Sequence, residues 1–530
     1  MEALPAKVDV VVLGTGLPES IVAAACARSG LSVLHLDRNN YYGGSWSSFN
    51  LRTVDEWKQS LDEAEETPET TVELADGESL LRLARRRTVK RVRTEWKEAS
   101  KATTSVTRRN SEPEEMTYRD HLEREWRRFS IDLVPKMIVA DSDMVQTLVD
   151  SEVAKYAEFK MVDRFLCMEK RPDGADGLNY CPVPCSRGEI FQSKNLSMMD
   201  KRRLMMFMDF CQKWKTSQIS KESLDDPVYE QFKTRPFEEF LESEKFKITD
   251  KLRYFITDAI GILHPNATTE EGLEAVCTFV NSTGRFGASP FLFPLYGCGE
   301  LPQCFCRLCA VFGGLYCLSQ PIESVILSGN RAVGVVAAGQ RIDCSHLIMS
   351  NEYVPEKYVN KEAGWVSRAV HITNRSILTD PEKERISLVN LAQLNPSLAA
   401  RLFESGAEAC SAPRGYYVLN LTGNGDDEDE LAAVERTVFS SGEEDSLWSL
   451  HFASLVNLEV EGLPENVAVV PGADESLEFA SVLKLARSVF KTFWNDVDFL
   501  PKVLRTIEEQ EEETSCPSNP QQEEEVSAQS

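Results

Sequence analysis

The residues best placed to do chemistry stand near the start of the chain. Gly14-Thr15-Gly16 follows an apolar run, Val8 to Leu13, that has Asp9 inside it. Asp37 closes a second apolar run, Leu31 to Leu36, and lies 23 residues after Gly14. Two glycines permit a tight turn and a close approach of backbone to a ligand. An acid at that distance stands where a dinucleotide ribose would be bound. The sixth place of the fingerprint disturbs this reading, because it holds Glu19 rather than glycine or alanine. A carboxylate at a helix start suits the helix dipole, but it competes with phosphate for the N–H donors and repels it. FAD or NAD binding and a purely structural use of the unit are both open at this point.

Other chemistry has little support. The six histidines form no ligand-like pair in the sequence, so no metal is expected. His35 sits inside an apolar run and reads as a core residue, and His264 precedes Pro265 at a helix end. Neither a Gly-x-Ser-x-Gly elbow nor a phosphate-binding Gly-Lys-Ser/Thr loop occurs. Carboxylates are too numerous to single out a catalytic pair. Fourteen scattered cysteines, among them Cys304, Cys306 and Cys309 in an apolar segment, read as reduced, buried thiols. A net charge of −26 argues against nucleic acid and favours a basic protein partner. A length of 530 residues predicts two or more domains. No run of 18 apolar residues suggests a membrane helix.

The elements that position these residues follow from periodicity. The run, glycine turn, small-residue segment Ser20 to Ser29 and second run predict a βαβ unit. After it, Tyr41-Tyr42-Gly43-Gly44 predicts a turn carrying two amphipathic rings, suited to an interface or to capping the core. Residues 55–116 read as an insertion or long loop, partly disordered, with a short strand over Thr70 to Leu74. Helices are predicted over Glu123 to Phe129, Met144 to Leu148, Leu204 to Trp214 and much of 225–283, and a strand over Phe159 to Cys167. The helix containing Met205, Met206, Phe207 and Met208 is either core or part of a helical unit that opens for a long apolar ligand. Phe279 is either a final core residue or an exposed contact. Leu301 to Phe312 predicts a helix with Glu300 just before it and Arg307 on it. Ile322 to Leu327, Ala332 to Ala338 and Ile342 to Met349 predict a meander closing toward the first unit. Strands are expected at Ala363 to Ile372, Ile386 to Leu391, Tyr416 to Leu421 and Val467 to Val470. Helices are expected at Ala432 to Phe439 and Val482 to Phe493. The glutamate-rich end from Ile507 carries no core-forming pattern and reads as disordered.

Several stretches together resemble one family. LGTGLPES, VLHLDRNNYYGG, FKMVDRF and SPFLFPLYGCGELPQCFCRLCAVFGG are similar to the GDP dissociation inhibitors and Rab escort proteins, from about Val8 to Val354 apart from 55–116. SWSSF, the insertion, CFCRLCAVFGGLYC and RAVHITNRSIL resemble the escort branch more than the shorter inhibitors, and VVPGADESLEFA resembles the family's terminal region. The resemblance implies an α/β fold: an FAD/NAD(P)-binding-like large domain with mixed sheets plus a smaller all-helical domain. The large domain would take residues 1–130 and 281–505, the helical, lipid-binding domain 131–280 with intervening large-domain segments, and 506–530 an acidic tail. It implies no catalytic residue and no cofactor. Its partners would be GDP-bound Rab GTPases, the α subunit of the geranylgeranyltransferase heterodimer, the geranylgeranyl groups on Rab and, transiently, a membrane, from a cytosolic location. Tyr42, Glu300, Arg307 and Cys317 would form the Rab-binding platform, with Cys317 where an inhibitor has methionine. Phe279 would contact the transferase, and Met205, Phe207 and Met208 would shelter lipid. A Rab dissociation inhibitor and a flavin oxidoreductase are the alternatives.

Overall fold

The computed structural model describes residues 4–62, 72–83, 85–106, 114–169, 179–221, 224–263, 266–378, 384–439 and 446–502. The expectations for Thr70 and Thr71, for His264 and Pro265 and for the acidic tail lie outside these residues.

The predicted βαβ unit forms. Lys7–Leu13 and Val33–Leu36 pair in parallel, and Leu17–Arg28 is the helix between them. That helix is buried from Leu17 to Ala27. Its alanines let it lie close to the sheet on one side and to a second helix, Glu300–Val311, on the other, where Ser20 Oγ and Cys306 Sγ meet at 3.3 Å. Gly14 has φ +97°, and a Cβ there would come within 2.9 Å of Ser350 Oγ, so this turn admits glycine alone. The meander forms from Ile322–Ser328, Arg331–Ala337 and Gln340–Ser350, and its last strand runs parallel to Lys7–Leu13, pairing Val8 with Cys344 and Val12 with Ile348. In order, this eight-stranded sheet reads Leu315–Cys317, Val33–Leu36, Lys7–Leu13, Gln340–Ser350, Arg331–Ala337, Ile322–Ser328 and Glu78–Arg82, with Val467–Val470 also beside Gln340–Ser350.

A second eight-stranded sheet runs Asn179–Pro182, Arg164–Glu169, Ser387–Asn390, Arg401–Ser405, Tyr417–Asn424, Val359–Thr373, Ser446–Val460 and Val89–Trp96. Its two fifteen-residue strands, Val359–Thr373 and Ser446–Val460, pair along nearly their whole length. The helices from Arg187 to Ser282 form a separate layer around Phe207, Phe210, Phe237, Phe240 and Phe246, whose rings meet at centroid distances of 5.1–6.4 Å. Such pairs add about 0.5–1.5 kcal/mol each beyond area burial. Within this layer Phe255–Ile260 is a π-helical turn. No described helix is long and apolar enough to cross a membrane. The thirteen cysteines among the described residues are free thiols.

Three expectations are corrected. The described residues of the segment 55–116 are not one loop: helix Leu51–Ser60 runs into it, Glu78–Arg82 edges the first sheet, Val89–Trp96 edges the second, and Thr103–Val106 pairs with Glu114–Thr117. The basic run folds as a strand because its charges are matched. Lys90 pairs with Asp426, and Arg93 with Glu428. Val72 to Leu74 is irregular, and the strand forms four residues later. Glu300 is the first residue of its helix, after Gly299.

One buried cation ties the layers. Lys136 is 1% exposed and donates to Asp474 and Ser476, which joins residues 133–137 to the loop after Val467–Val470. Against the pull of burial, Lys136 and its hydrogen bond hold the Asp474 carboxyl down at about 2. A depressed carboxyl lends stability above its ordinary value, and that stability is lost as pH falls toward 2. Lys136→Met strands a carboxylate and is expected to cost about 3 kcal/mol by urea denaturation at pH 7. The difference between variant and parent should shrink as pH approaches 2.

Candidate functional site

The dinucleotide position is built and then filled. Asp37 is fully buried and accepts from five donors of its own chain. Thr15 N–H and hydroxyl reach Oδ2 at 2.8 and 2.6 Å. Asn39 N–H and side-chain amide reach Oδ1 at 2.9 Å each, and the Tyr353 hydroxyl at 3.2 Å. Its lone pairs are committed, so a ribose would have to displace protein donors. Glu19 is 3% exposed, and its Oε2 is buried without a partner. It lines a cavity of ≈ 20 Å³ together with Gly16, Gly44, Trp46, Asn351 and Glu352, room for about one water. Burial pushes the Glu19 carboxyl up to about 8. Burial and the neighbouring Asp37 raise Glu352 to about 7. A pyrophosphate needs donors and space, and this place offers acids and one water's volume. The residues do not fit a dinucleotide.

The same turn delivers the predicted platform residues. Thr15 Oγ1 also accepts from Gly43 N–H at 3.0 Å, which fixes the loop carrying Tyr42. Asp37 N–H donates to Cys317 O, and Gln320 N–H to Asp37 O. Strand Leu315–Cys317 is thereby locked to the sheet edge beside that loop. The Tyr42 ring stands edge-on to Tyr316 at 5.6 Å. Both its burial and Tyr316 raise the Tyr42 hydroxyl above its ordinary range. Tyr42 and Cys317, 275 positions apart, thus share one surface, both half-buried.

The Glu300–Val311 helix flanks it. Leu301, Phe305, Leu308 and Cys309 face inward, while Gln303, Arg307, Ala310 and Val311 face water. Glu300 opens the exposed stripe, half-buried, its carboxyl raised by burial. Arg307 lies one face along, its guanidinium over the Tyr156 ring at 4.3 Å. Sequence reasoning missed the apolar continuation: Val311, Phe312 and Leu315 are 62, 41 and 53% exposed. The signal was present, since three large apolar residues flank the glycines that end the helix. The Phe312 ring also meets the Arg28 guanidinium at 5.3 Å; exposed apolar residues beside charge are the kind that mark a binding face.

The remaining predicted residues lie elsewhere. Phe279 is 3% exposed and packs between Phe165 and Phe291 at 6.0 and 5.8 Å. It packs there because the helix Thr269–Ser282 turns that face onto the strands. Phe207 and Met208 are buried in the aromatic layer, and Met205 packs at its margin. Met198, Met199 and Met206 on the same helix are exposed.

The chain matches a family model described as GDP dissociation inhibitor over residues 4–73 and 97–419. Residues 366–475 also match the RAE1/2 domain I, C-terminal region. It is 43% identical over 513 residues to a Caenorhabditis elegans protein named Rab proteins geranylgeranyltransferase component A 1, covering 96% of this chain and 97% of that one. Identity to the Homo sapiens protein of the same name is 30%, over 94% of this chain and 92% of that one. The solved structure of Rab GDI from Plasmodium falciparum superposes with TM-score 0.70 at 20% identity, covering 93% of this chain and all of that one, a likeness of fold.

Two outcomes check the geometry. A carboxyl raised on folding costs stability as pH climbs from its ordinary 4.5 through about 8. Glu19→Gln is therefore expected to match the parent near pH 5 and to exceed it at pH 9 by on the order of several kcal/mol in urea unfolding. Phe279→Ala removes a core ring and is expected to destabilise by about 3 kcal/mol or more in the same measurement.

Proposed function

This chain belongs to the GDP dissociation inhibitor family, and from that membership we propose that it acts as a non-catalytic Rab escort subunit. In this role it binds unprenylated, GDP-bound Rab, presents it to the αβ geranylgeranyltransferase and delivers the prenylated product to membranes. One observation carries the reading. The position where a cofactor would sit is closed by Glu19 and Asp37, while its outer loop sets Tyr42 against Tyr316 on an edge strand whose Leu315 is exposed. Near full-length similarity to relatives named component A favours this over a dissociation inhibitor.

Tyr42 and Tyr316 supply ring area on that face, and Phe312 and Leu315 extend it. Arg307 and Glu300 supply directional polar contacts around it; a guanidinium gives several donors in a fixed plane. Cys317 leaves a shallower contact than methionine would. The helical layer is the place for the lipid. Phe207 and Met208 occupy a closed core here with Met205 at its margin, so a geranylgeranyl chain enters only as those helices part. Burial worth about 0.8 kcal/mol per methylene offsets that parting, and methionine repacks at low cost.

The transferase contact expected at Phe279 is proposed together with exposed apolar residues of the helical layer. Phe191 and Met198 are 63 and 80% exposed, and Lys201 Nζ donates to Phe191 O at 2.8 Å across the intervening loop. These residues form the surface assigned here to the α subunit.

Reconstitution with unprenylated Rab, geranylgeranyl diphosphate and the αβ enzyme tests the function: prenylation should require this chain. Arg307→Ala should weaken Rab–GDP binding tenfold or more, about 1.4 kcal/mol, with folding intact and transferase capture unchanged. Phe191→Ala should do the converse. Prenylation that proceeds without this chain would refute the escort role.

A further inference from the structure

We propose that His371, Glu435 and His451 form a binding site for a zinc-class divalent cation. Nε2 of His371 lies 2.9 Å from Glu435 Oε1, and Nε2 of His451 lies 2.8 Å from the same oxygen. The three candidate donor atoms all fall within 4.8 Å of one another. Two imidazole nitrogens and one carboxylate oxygen are the donor set that zinc takes at about 2.0–2.2 Å. Tetrahedral ligands at that distance stand roughly 3.4 Å apart. Each His–Glu contact thus has to open by roughly half an ångström to admit the ion.

The scaffold holds the ligands firmly. His371 and His451 come from the two long, paired strands Val359–Thr373 and Ser446–Val460, where His451 stands opposite Ala369 and His371 opposite Ser449. Glu435 comes from the helix Glu428–Val438, whose Leu431, Val434 and Val438 are buried. His371 Nδ1 lies 3.0 Å from Ser446 Oγ, the outer-shell contact that fixes a ligating imidazole with Nε2 turned to the ion. His451 Nδ1 is buried without a partner, so in the ion-free chain that ring depends on Nε2 for its polar contact. A cavity of ≈ 20 Å³ borders Glu435 and His451. It has room for about one water, which supplies the fourth ligand. Binding shifts each Nε2 proton to Nδ1 or releases it, so both imidazoles ligate as neutral rings.

Nearby cations are engaged elsewhere. Arg93 and Arg91 pair with Glu428, and Lys97 pairs with Glu95. Arg368 donates to the hydroxyls of Ser454 and Thr422 and to Asp474 O. Their field moderates affinity, and it disfavours hard ions that bind oxygen alone. Nitrogen ligands favour zinc and its transition-metal neighbours.

The test uses the full chain with Co²⁺ as a spectroscopic probe. The expected result is one equivalent bound, with the visible bands of four-coordinate Co²⁺, no thiolate charge-transfer band, and displacement by Zn²⁺. Glu435→Gln preserves size and hydrogen bonding, and His451→Gln removes one ligand. Each should weaken Co²⁺ binding at least tenfold and abolish the rise in Tm that Zn²⁺ gives the parent. Circular dichroism establishes that each variant is folded, and either one suffices. Thiolate bands, undiminished binding in a folded variant, or no Co²⁺ or Zn²⁺ binding by the parent would overturn the proposal.

Discussion

The structure depends on the saturation of one buried carboxylate. Asp37 ends a strand inside the protein, and an ionised group there is tolerable only if every lone pair is matched. The five donors that match it come from the glycine turn, the loop after the strand and Tyr353. Those three segments are 22 to 316 positions away or immediately adjacent, so satisfying one charge fixes three pieces of chain at once. The backbone bonds from Asp37 to Cys317 and Gln320 add a fourth. Each piece then carries something else into place: the turn carries Glu19, the loop carries Tyr42, and the edge strand carries Tyr316 and Leu315.

The dinucleotide-type geometry and the exposed surface are therefore two faces of the same arrangement. A dinucleotide fold needs a close turn, an open helix start and an acid at the second strand's end. Here the turn is present, because Gly14 has no alternative against Ser350 and Tyr353. The helix start is closed by Glu19, and the acid is spent on its own chain. Trp46 and Glu352 line the crevice with Glu19. What is gained is rigidity in the loop above it, where Gly43 is tied to Thr15. A protein-binding face benefits from that rigidity, because less ordering remains to be done on association.

Local pattern and long-range packing divide what was legible in the sequence. The βαβ unit, the meander and the helix after Gly299 follow from periodicity and glycine placement alone. The strand Ser446–Val460 escaped notice because Ser446, Ser449, His451 and Ser454 interrupt its apolar pattern, although most of Ser446 to Leu455 is buried on both faces. Val89–Trp96 was obscured by its basic residues, whose partners Asp426 and Glu428 lie more than 300 positions away. Phe279 illustrates the limit at single residues: the last turn of a helix does not reveal which side meets Phe165 and Phe291. The histidines illustrate it for clusters, since His371 and His451 are brought to Glu435 by strand register rather than by spacing. Tyr42, Glu300 and Arg307 were proposed from resemblance, and the exposure of Phe312 and Leu315 required coordinates.

The strand Leu315–Cys317 ends its sheet with Leu315 bare and Phe312 beside it. Unpaired backbone next to exposed rings is a template for sticking to other chains. The net charge of −26 works against that outcome by making copies of the chain repel one another. The colloidal behaviour of this protein is thus set by a contest between one sticky edge and its overall charge. Screening by salt weakens the repulsion and leaves the edge unchanged, so ionic strength governs how long the free chain stays dispersed before a partner covers it.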